Sequence, residues 1–244
     1  MPFTVFSFVL LMLILPSSRM LAQNAGQRFF ATLDSARAML IVAPGEAVET
    51  ARRAAAQAEN DNERLMAEEL RAEAMHRVGD NVLALSTYDF ALALAQRTQD
   101  AQARGRLLNR SGIVYRSLGR YDQSLTLHLR ALAVFDSLGN DLGRAQAMHD
   151  LAKTLLRLGQ YDEARQNMDR ALELREAEQH RAGIAESYNT LGSLFWRKNQ
   201  HDSALVCFMH ALSQQKLIGL HSTAVAQSLS SIGDVYNEER NTKL

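Results

Sequence analysis

The chain repeats itself every 40 residues, and this period constrains its fold more than any other feature. Written in rows of 40 from Asp61, the sequence stacks Val78-Gly79, Leu118-Gly119, Leu158-Gly159 and a degraded Lys198-Asn199 in one column. Seven residues earlier stands a column of small residues, Ala72, Gly112, Ala152 and Gly192, followed three places on by the bulky Met75, Tyr115, Leu155 and Phe195. Two further small columns come later: Ala84, Ser124, Ala164, Ala204, and the strictly alanine set Ala91, Ala131, Ala171, Ala211. Such self-similarity marks a solenoid of helix pairs, each unable to bury its own apolar face without stacking on a neighbour. A chain of this kind is expected to work along a groove, not in a pocket.

Composition narrows the function classes. The 244 residues are 47% hydrophobic with three prolines, enough apolar material for a sizeable folded body spread along a line. Twenty-seven acidic residues balance 27 basic ones, so no long-range field attracts nucleic acid, which is not expected as a partner. The single cysteine, Cys207, has no mate for an internal disulfide, and no Cys/His pair has zinc-ligand spacing. No Gly-rich phosphate loop, His-Glu-x-x-His helix, Gly-x-Ser-x-Gly elbow or paired Cys-x-x-Cys is present. The expectation is a noncatalytic protein without metal or cofactor.

The start of the chain reads as an export signal. Phe3 to Leu15 is apolar apart from Thr4 and Ser7, the right length for a signal-peptide core and short for a membrane span. Pro16, Ser17 and Ser18 break it, and a cut after Ala22 leaves Gln23 as the new start. Met20 is large for the third position before such a cut, and no Lys or Arg precedes the apolar run, so an uncleaved anchor or a buried N-terminal helix stays open. Residues 1–22 are read as a signal, and the protein as exported, periplasmic or membrane-associated; without a signal it is cytoplasmic.

Phe29 to Val42 predicts a helix, Pro44-Gly45 a turn, and Glu46 to Glu59 a second helix, together a degenerate pair over 23–60. Units then run 61–100, 101–140, 141–180 and 181–221, and 222–244 forms a half unit or capping helix. Apolar residues fall at helical intervals, with Leu107, Leu108, Tyr115 and Leu118 on one helix and Leu125, Leu129, Leu132 and Phe135 on the next. A short link near Gly119-Arg120 joins them antiparallel. Glycine inside a helix costs about 1 kcal/mol against alanine, so Gly112, Gly192 and Gly233 are expected at close helix crossings.

The run Leu151-Ala152, Leu155, Leu158-Gly159, Tyr161-Asp162-Glu163-Ala164, Ala171-Leu172 resembles the tetratricopeptide repeat signature over 61 to about 240. The resemblance implies an all-α, right-handed superhelical solenoid of antiparallel helix pairs, here about four and a half units. Two departures stand out. The common unit has 34 residues, and the proline that often closes its second helix is absent. Six added residues lengthen the helices by about 9 Å per unit. Units of this length look like those of large bacterial signalling proteins, in which an exported array precedes a membrane helix and a kinase, cyclase or regulator.

The family's concave wall comes from the first helix of each unit. Carried onto this chain, its fifth place gives Glu69, Asn109, His149 and Asn189, a polar ladder suited to an extended peptide backbone. The ninth, twelfth and thirteenth places add Lys153, His76, Arg77, Arg116, Arg157, Trp196 and Arg197, and arginines along a groove suit carboxylates. The expected groove is therefore Asn109, Arg116, His149, Lys153, Arg157, Asn189, Trp196 and Arg197. The string from His149 to Leu155 is similar to the phospho-acceptor box of histidine kinases, but it falls inside a repeat with no ATP-binding segment, so His149 is read as a groove or surface residue.

The expected function is to bind a protein or extended peptide, acidic in character, as a scaffold. The alternative is the sensory region of a membrane signalling protein truncated after Leu244. The last helix, expected from Thr223 to about Arg240, has the first-helix signature without a partner, and its edge of Val225, Leu229 and Tyr236 predicts self-association.

Overall fold

The computed structural model describes residues 26–219 and 223–242. The expected export segment, 1–22, lies outside them. Among the described residues there are helices and short links and no strand. The chain divides into two compact units, Met1–Asp100 and Ala101–Leu244.

The first unit contains α1 (residues 26–42), α2 (Pro44–Gln57), α3 (Asp61–Val78) and α4 (Asn81–Arg97). Its core is alanine-rich: Ala36 on α1, Ala47, Ala51 and Ala54 on α2, and Ala67 and Ala74 on α3 are sealed from solvent, with Phe29, Leu33 and Leu70 filling between them. Small side chains let the helix axes approach closely. Pro44-Gly45, expected as a turn, begins α2 instead. Proline at the first helical position loses no hydrogen bond, since that N–H has no intrahelical acceptor, and its fixed φ already suits the helix.

The second unit contains α5 (Ala101–Ser117), α6 (Tyr121–Ser137), α7 (Asp141–Arg157), α8 (Tyr161–Ala177), α9 (Arg181–Arg197), α10 (His201–Leu217) and α11 (Thr223–Thr242). From α5 to α10 every helix has 17 residues, and three linking residues separate each helix from the next. The backbone thus repeats in half the distance of the sequence. A left-handed residue closes each helix: Gly119, Gly139, Gly159, Gln179, Asn199 and Gly219 all have positive φ. At Gly119 the turn takes the usual form, its N–H reaching the Arg116 carbonyl at 3.0 Å and that of Arg120 the Tyr115 carbonyl at 2.9 Å.

Two of the small-column glycines have the expected role. A Cβ on Gly112 would come within 2.7 Å of the His128 ring on α6, and one on Gly192 within 2.6 Å of the Phe208 ring on α10. Gly233 differs: nothing lies within 4 Å of the position its Cβ would take. The reason is topological, because its helix, α11, has no second helix to cross it among the described residues. Leu229 and Tyr236 on α11 remain more than half exposed.

Within each unit consecutive helices pack in antiparallel pairs, and in the second unit first helices also touch from one repeat to the next, α5 against α7 and α7 against α9. Among the described residues, second helices make no comparable contact with each other. That asymmetry sets the first helices on the inner side of the second unit.

Candidate functional site

Side chains three and four residues apart share a helix face. On α5 this spacing brings Arg106, Asn109, Arg110 and Ile113 together, and on α7 it brings Leu142, Gln146 and Asp150 together. These residues line a cleft of about 490 Å³. Its floor is the Phe135 ring, which α6 inserts between the two first helices. Gly105 and Gly143 permit this, since a Cβ on Gly105 would approach the ring to 2.8 Å and one on Gly143 more closely still. Gly143 is also fixed from the other side, because its N–H donates to Oδ1 of the capping Asn140 at 2.8 Å.

One unit later the position of Phe135 is held by Arg175, and two units later by Gln215; all three are buried. Arg175 enters between α7 and α9 and is satisfied there. Its Nη1 donates to the Gly183 carbonyl at 2.9 Å and to Ser187 Oγ at 2.8 Å, with His149 Nδ1 at 3.2 Å. Its Nη2 donates to Gln146 Oε1 at 2.8 Å and to Glu186 Oε2 at 3.2 Å. Buried guanidinium groups persist only with this degree of pairing.

Gln146 connects that cluster to a second one around Asp150. Its Nε2 donates to Asp150 Oδ2 at 2.9 Å, and Asn109 Nδ2 donates to the same oxygen at 2.7 Å. Arg116 Nη1 donates to the Asp150 carbonyl at 3.1 Å and lies 3.7 Å from Oδ1. With its amide nitrogen committed to Asp150, Asn109 uses Oδ1 to accept from His128 Nδ1 at 2.6 Å. The His128 proton is therefore on Nδ1, and the buried Nε2 has no hydrogen-bond partner.

Burial pushes the His128 imidazole down to about 4, against the pull of Asp150, so it is neutral at neutral pH. Burial alone would raise the Asp150 carboxyl, but its neighbours, His149 and Arg116 foremost, outweigh that and hold it below its ordinary value. The same balance operates at Glu186, where His149, Arg175 and Lys153 overcome burial and hold the carboxyl at about 2. His149 Nε2 lies 3.4 Å from Glu186 Oε1, within ion-pair distance but not aligned as a hydrogen bond.

The eight residues expected to line a groove fall into three groups. Asn109, Arg116 and His149 come together in the buried network, and His149 is fully sealed from solvent, neither a groove nor a surface residue. Lys153, half-buried on the same face, adds its field to Asp150 and Glu186, and Arg157 one turn on is exposed. Asn189 accepts from Ser228 Oγ at 2.9 Å, while Trp196 and Arg197 stand exposed at the end of α9. The asparagines of the ladder thus reach across units, Asn109 to Asp150 and Asn189 to Ser228. Sequence reasoning missed Phe135, Gln146, Asp150 and Arg175. The available signal was the column Ala95, Phe135, Arg175, Gln215, which varies in character at a fixed spacing within helices that otherwise agree. Among the described residues no group of His, Cys, Asp or Glu is placed to hold a metal ion, and no helix is long and apolar enough to cross a membrane.

Solved structures of similar fold include BtubC from P. vanneervenii, 24% identical over 86% of this chain and 83% of that one, with a TM-score of 0.63. They include kinesin light chain TPR-like repeats from Podosopora anserina, 17% identical over 80% of this chain and 98% of that one, at 0.58. A Rap protein complexed with Competence and Sporulation Factor is 16% identical over 88% of this chain and 65% of that one, at 0.64. These likenesses speak to fold alone. No curated protein matches the sequence. A sequence model of the tetratricopeptide repeat matches residues 103–177 and 144–216. With the paired helices and glycine crossings of the second unit, that match identifies residues 103–216 as tetratricopeptide repeats.

Proposed function

We propose that the chain is a noncatalytic scaffold that holds an extended, acidic segment of a protein partner along the first-helix face of its second unit. The observation that carries this reading is the cleft between α5 and α7, with Arg106 and Arg110 on one wall and Lys153 and Arg157 continuing the face along α7. Asp150 on this stretch is buried and engaged by Asn109, Gln146 and Arg116, so the half-buried Lys153 and exposed Arg157 are the α7 groups suited to a ligand carboxylate. A similarly folded Rap protein has been solved complexed with Competence and Sporulation Factor, which supports reading the fold as a holder of ligands. Affinity is expected near micromolar, because ordering a flexible segment offsets much of the contact energy.

The test is selection of a random dodecapeptide display library on the full chain. Selected peptides should bind weakly to a Lys153→Glu/Arg157→Glu variant and normally to an Arg130→Glu/Arg170→Glu variant, which alters exposed positions on the second helices. The reverse pattern would move the site to the outer face. The apolar segment from Phe3 to Leu15 adds the proposal that the scaffold works after export; recovery of the whole expressed chain in the cytoplasmic fraction would refute it.

A further inference from the structure

We infer that α11 is a self-association surface, on which a second copy of the chain lays its own α11 antiparallel about a twofold axis. Such pairing is independent of the ligand-holding face proposed above. On α9, the preceding first helix, three places meet α10. The Tyr188 ring stacks on the His210 ring with centroids 5.0 Å apart, Gly192 admits the Phe208 ring, and Phe195 packs against the cluster of Ala204 and Phe208. The same places on α11 hold Leu229, Gly233 and Tyr236. There Leu229 is 52% exposed and Tyr236 55%, and a Cβ on Gly233 would have nothing within 4 Å. Another side of the helix is already engaged: Val235 is buried beside Ala204 and Phe208, and Ser228 is sealed against Asn189 and Gln215. The helix is thus seated on α10 while it presents half of a helix crossing to solvent.

Size and charge identify the occupant. At Gly112 and Gly192 a large side chain of the facing helix stands over the glycine. Val225, Leu229, Gly233 and Tyr236 follow one another at spacings of four and three residues and form one stripe. Read in the opposite direction, that stripe complements itself. An antiparallel copy that sets its Leu229 over Gly233 receives Leu229 over its own Gly233, and the same register sets each Tyr236 beside the small Ala226 of the other copy. Between Val225 and Asn237 the one charged residue is Asp234, which the helical spacing turns away from the stripe. The twofold axis therefore brings no like charges together. Closing the pair takes Leu229 and Tyr236 out of water on both copies and continues the packing columns that join α9 to α10.

Sedimentation equilibrium of the full chain over a range of concentrations is the test. Dimers should form reversibly, and Leu229→Glu/Tyr236→Glu should raise the concentration at which half the chain is dimeric at least about tenfold. Both positions are exposed, so circular dichroism should show the helices intact. Leu129→Glu, at an equally exposed position on α6, should leave association unchanged, which separates this surface from apolarity in general. Oxidative cross-linking in a Cys207→Ser background reads the register: mixed Leu229→Cys and Gly233→Cys chains should join to each other faster than either joins to its own kind. Dimers indifferent to Leu229→Glu/Tyr236→Glu, or cross-linking without preference for the mixed pair, overturn the inference. A chain that stays monomeric throughout also overturns it, and leaves the face to a helix of another protein.

Discussion

The two units are assembled from similar hairpins and filled in opposite ways. In the first, α1, α2 and α3 meet mainly through alanines with Phe29, Leu33 and Leu70 between them, and the buried Glu68 pairs locally with Arg71 on its own helix. In the second, the space behind the first helices holds Asn109, His128, His149, Asp150 and Arg175, every one of them buried. Alanine contacts tolerate small shifts, because no donor or acceptor has to be matched. A buried polar cluster tolerates few, since each unmatched group carries its full desolvation cost. The first unit is thus built to stack, and the second to hold a defined arrangement beneath its cleft.

The widest separation should come from removing a charge at the centre of that cluster. Asp150→Ala strands Arg116 and the amides of Asn109 and Gln146, and urea denaturation should show a loss of about 3–5 kcal/mol. Thr50→Ala in the first unit, whose hydroxyl meets Met39 Sδ and Arg53, should cost only about 1 kcal/mol. Equal losses would erase the contrast between the units.

Acid should expose the same difference. His128 is held at about 4 against an ordinary 6.5, so above pH 6.5 it is neutral folded or unfolded and contributes no pH dependence. Between those values the unfolded chain takes up a proton that the folded chain refuses, so stability falls with pH, by up to about 3 kcal/mol on reaching pH 4. Asp150 and Glu186, both depressed, act in the same direction at lower pH, losing their contribution as they protonate. Stability profiles of the protein and of His128→Gln should converge as pH drops from 6.5 to 4; parallel profiles would show that the buried imidazole is not responsible.

A smaller effect separates glycines that look alike in sequence. Gly112→Ala forces a Cβ against the His128 ring and should cost about 1–3 kcal/mol, whereas Gly233→Ala meets nothing within 4 Å and should gain about 0.5–1 kcal/mol from helix propensity. Thermal melts that move the same way for both would contradict the packing described. The smallest change is expected at the links: Gln179 has a φ of 52°, and Gln179→Gly should gain at most about 1 kcal/mol.

The period, the helix pairs and the crossings at Gly112 and Gly192 were legible because each follows from residue size at a fixed spacing. Gly233 misled because the same spacing occurs where no second helix crosses. The left-handed links recur every half unit, yet Gln99, Gln179 and Asn199 occupy three of them, so glycine alone does not reveal the rhythm. The first-helix face was legible from the spacing, and the partners of its side chains were not. Asn109 and Asn189 sit at ligand-facing places of the family pattern, but their partners, Asp150 and Ser228, come from the next first helix. A charged residue such as Arg175 at a buried helical place becomes intelligible only once Gln146, Ser187 and Glu186 are seen to converge on it.

Backbone amide hydrogen exchange, with and without a selected dodecapeptide, tests the working face most directly. The account predicts added protection concentrated in 101–117 and 141–157, the two first helices that wall the cleft, with α6 and α8 unchanged. Protection centred on 121–137 and 161–177, or confined to the first unit, would contradict it.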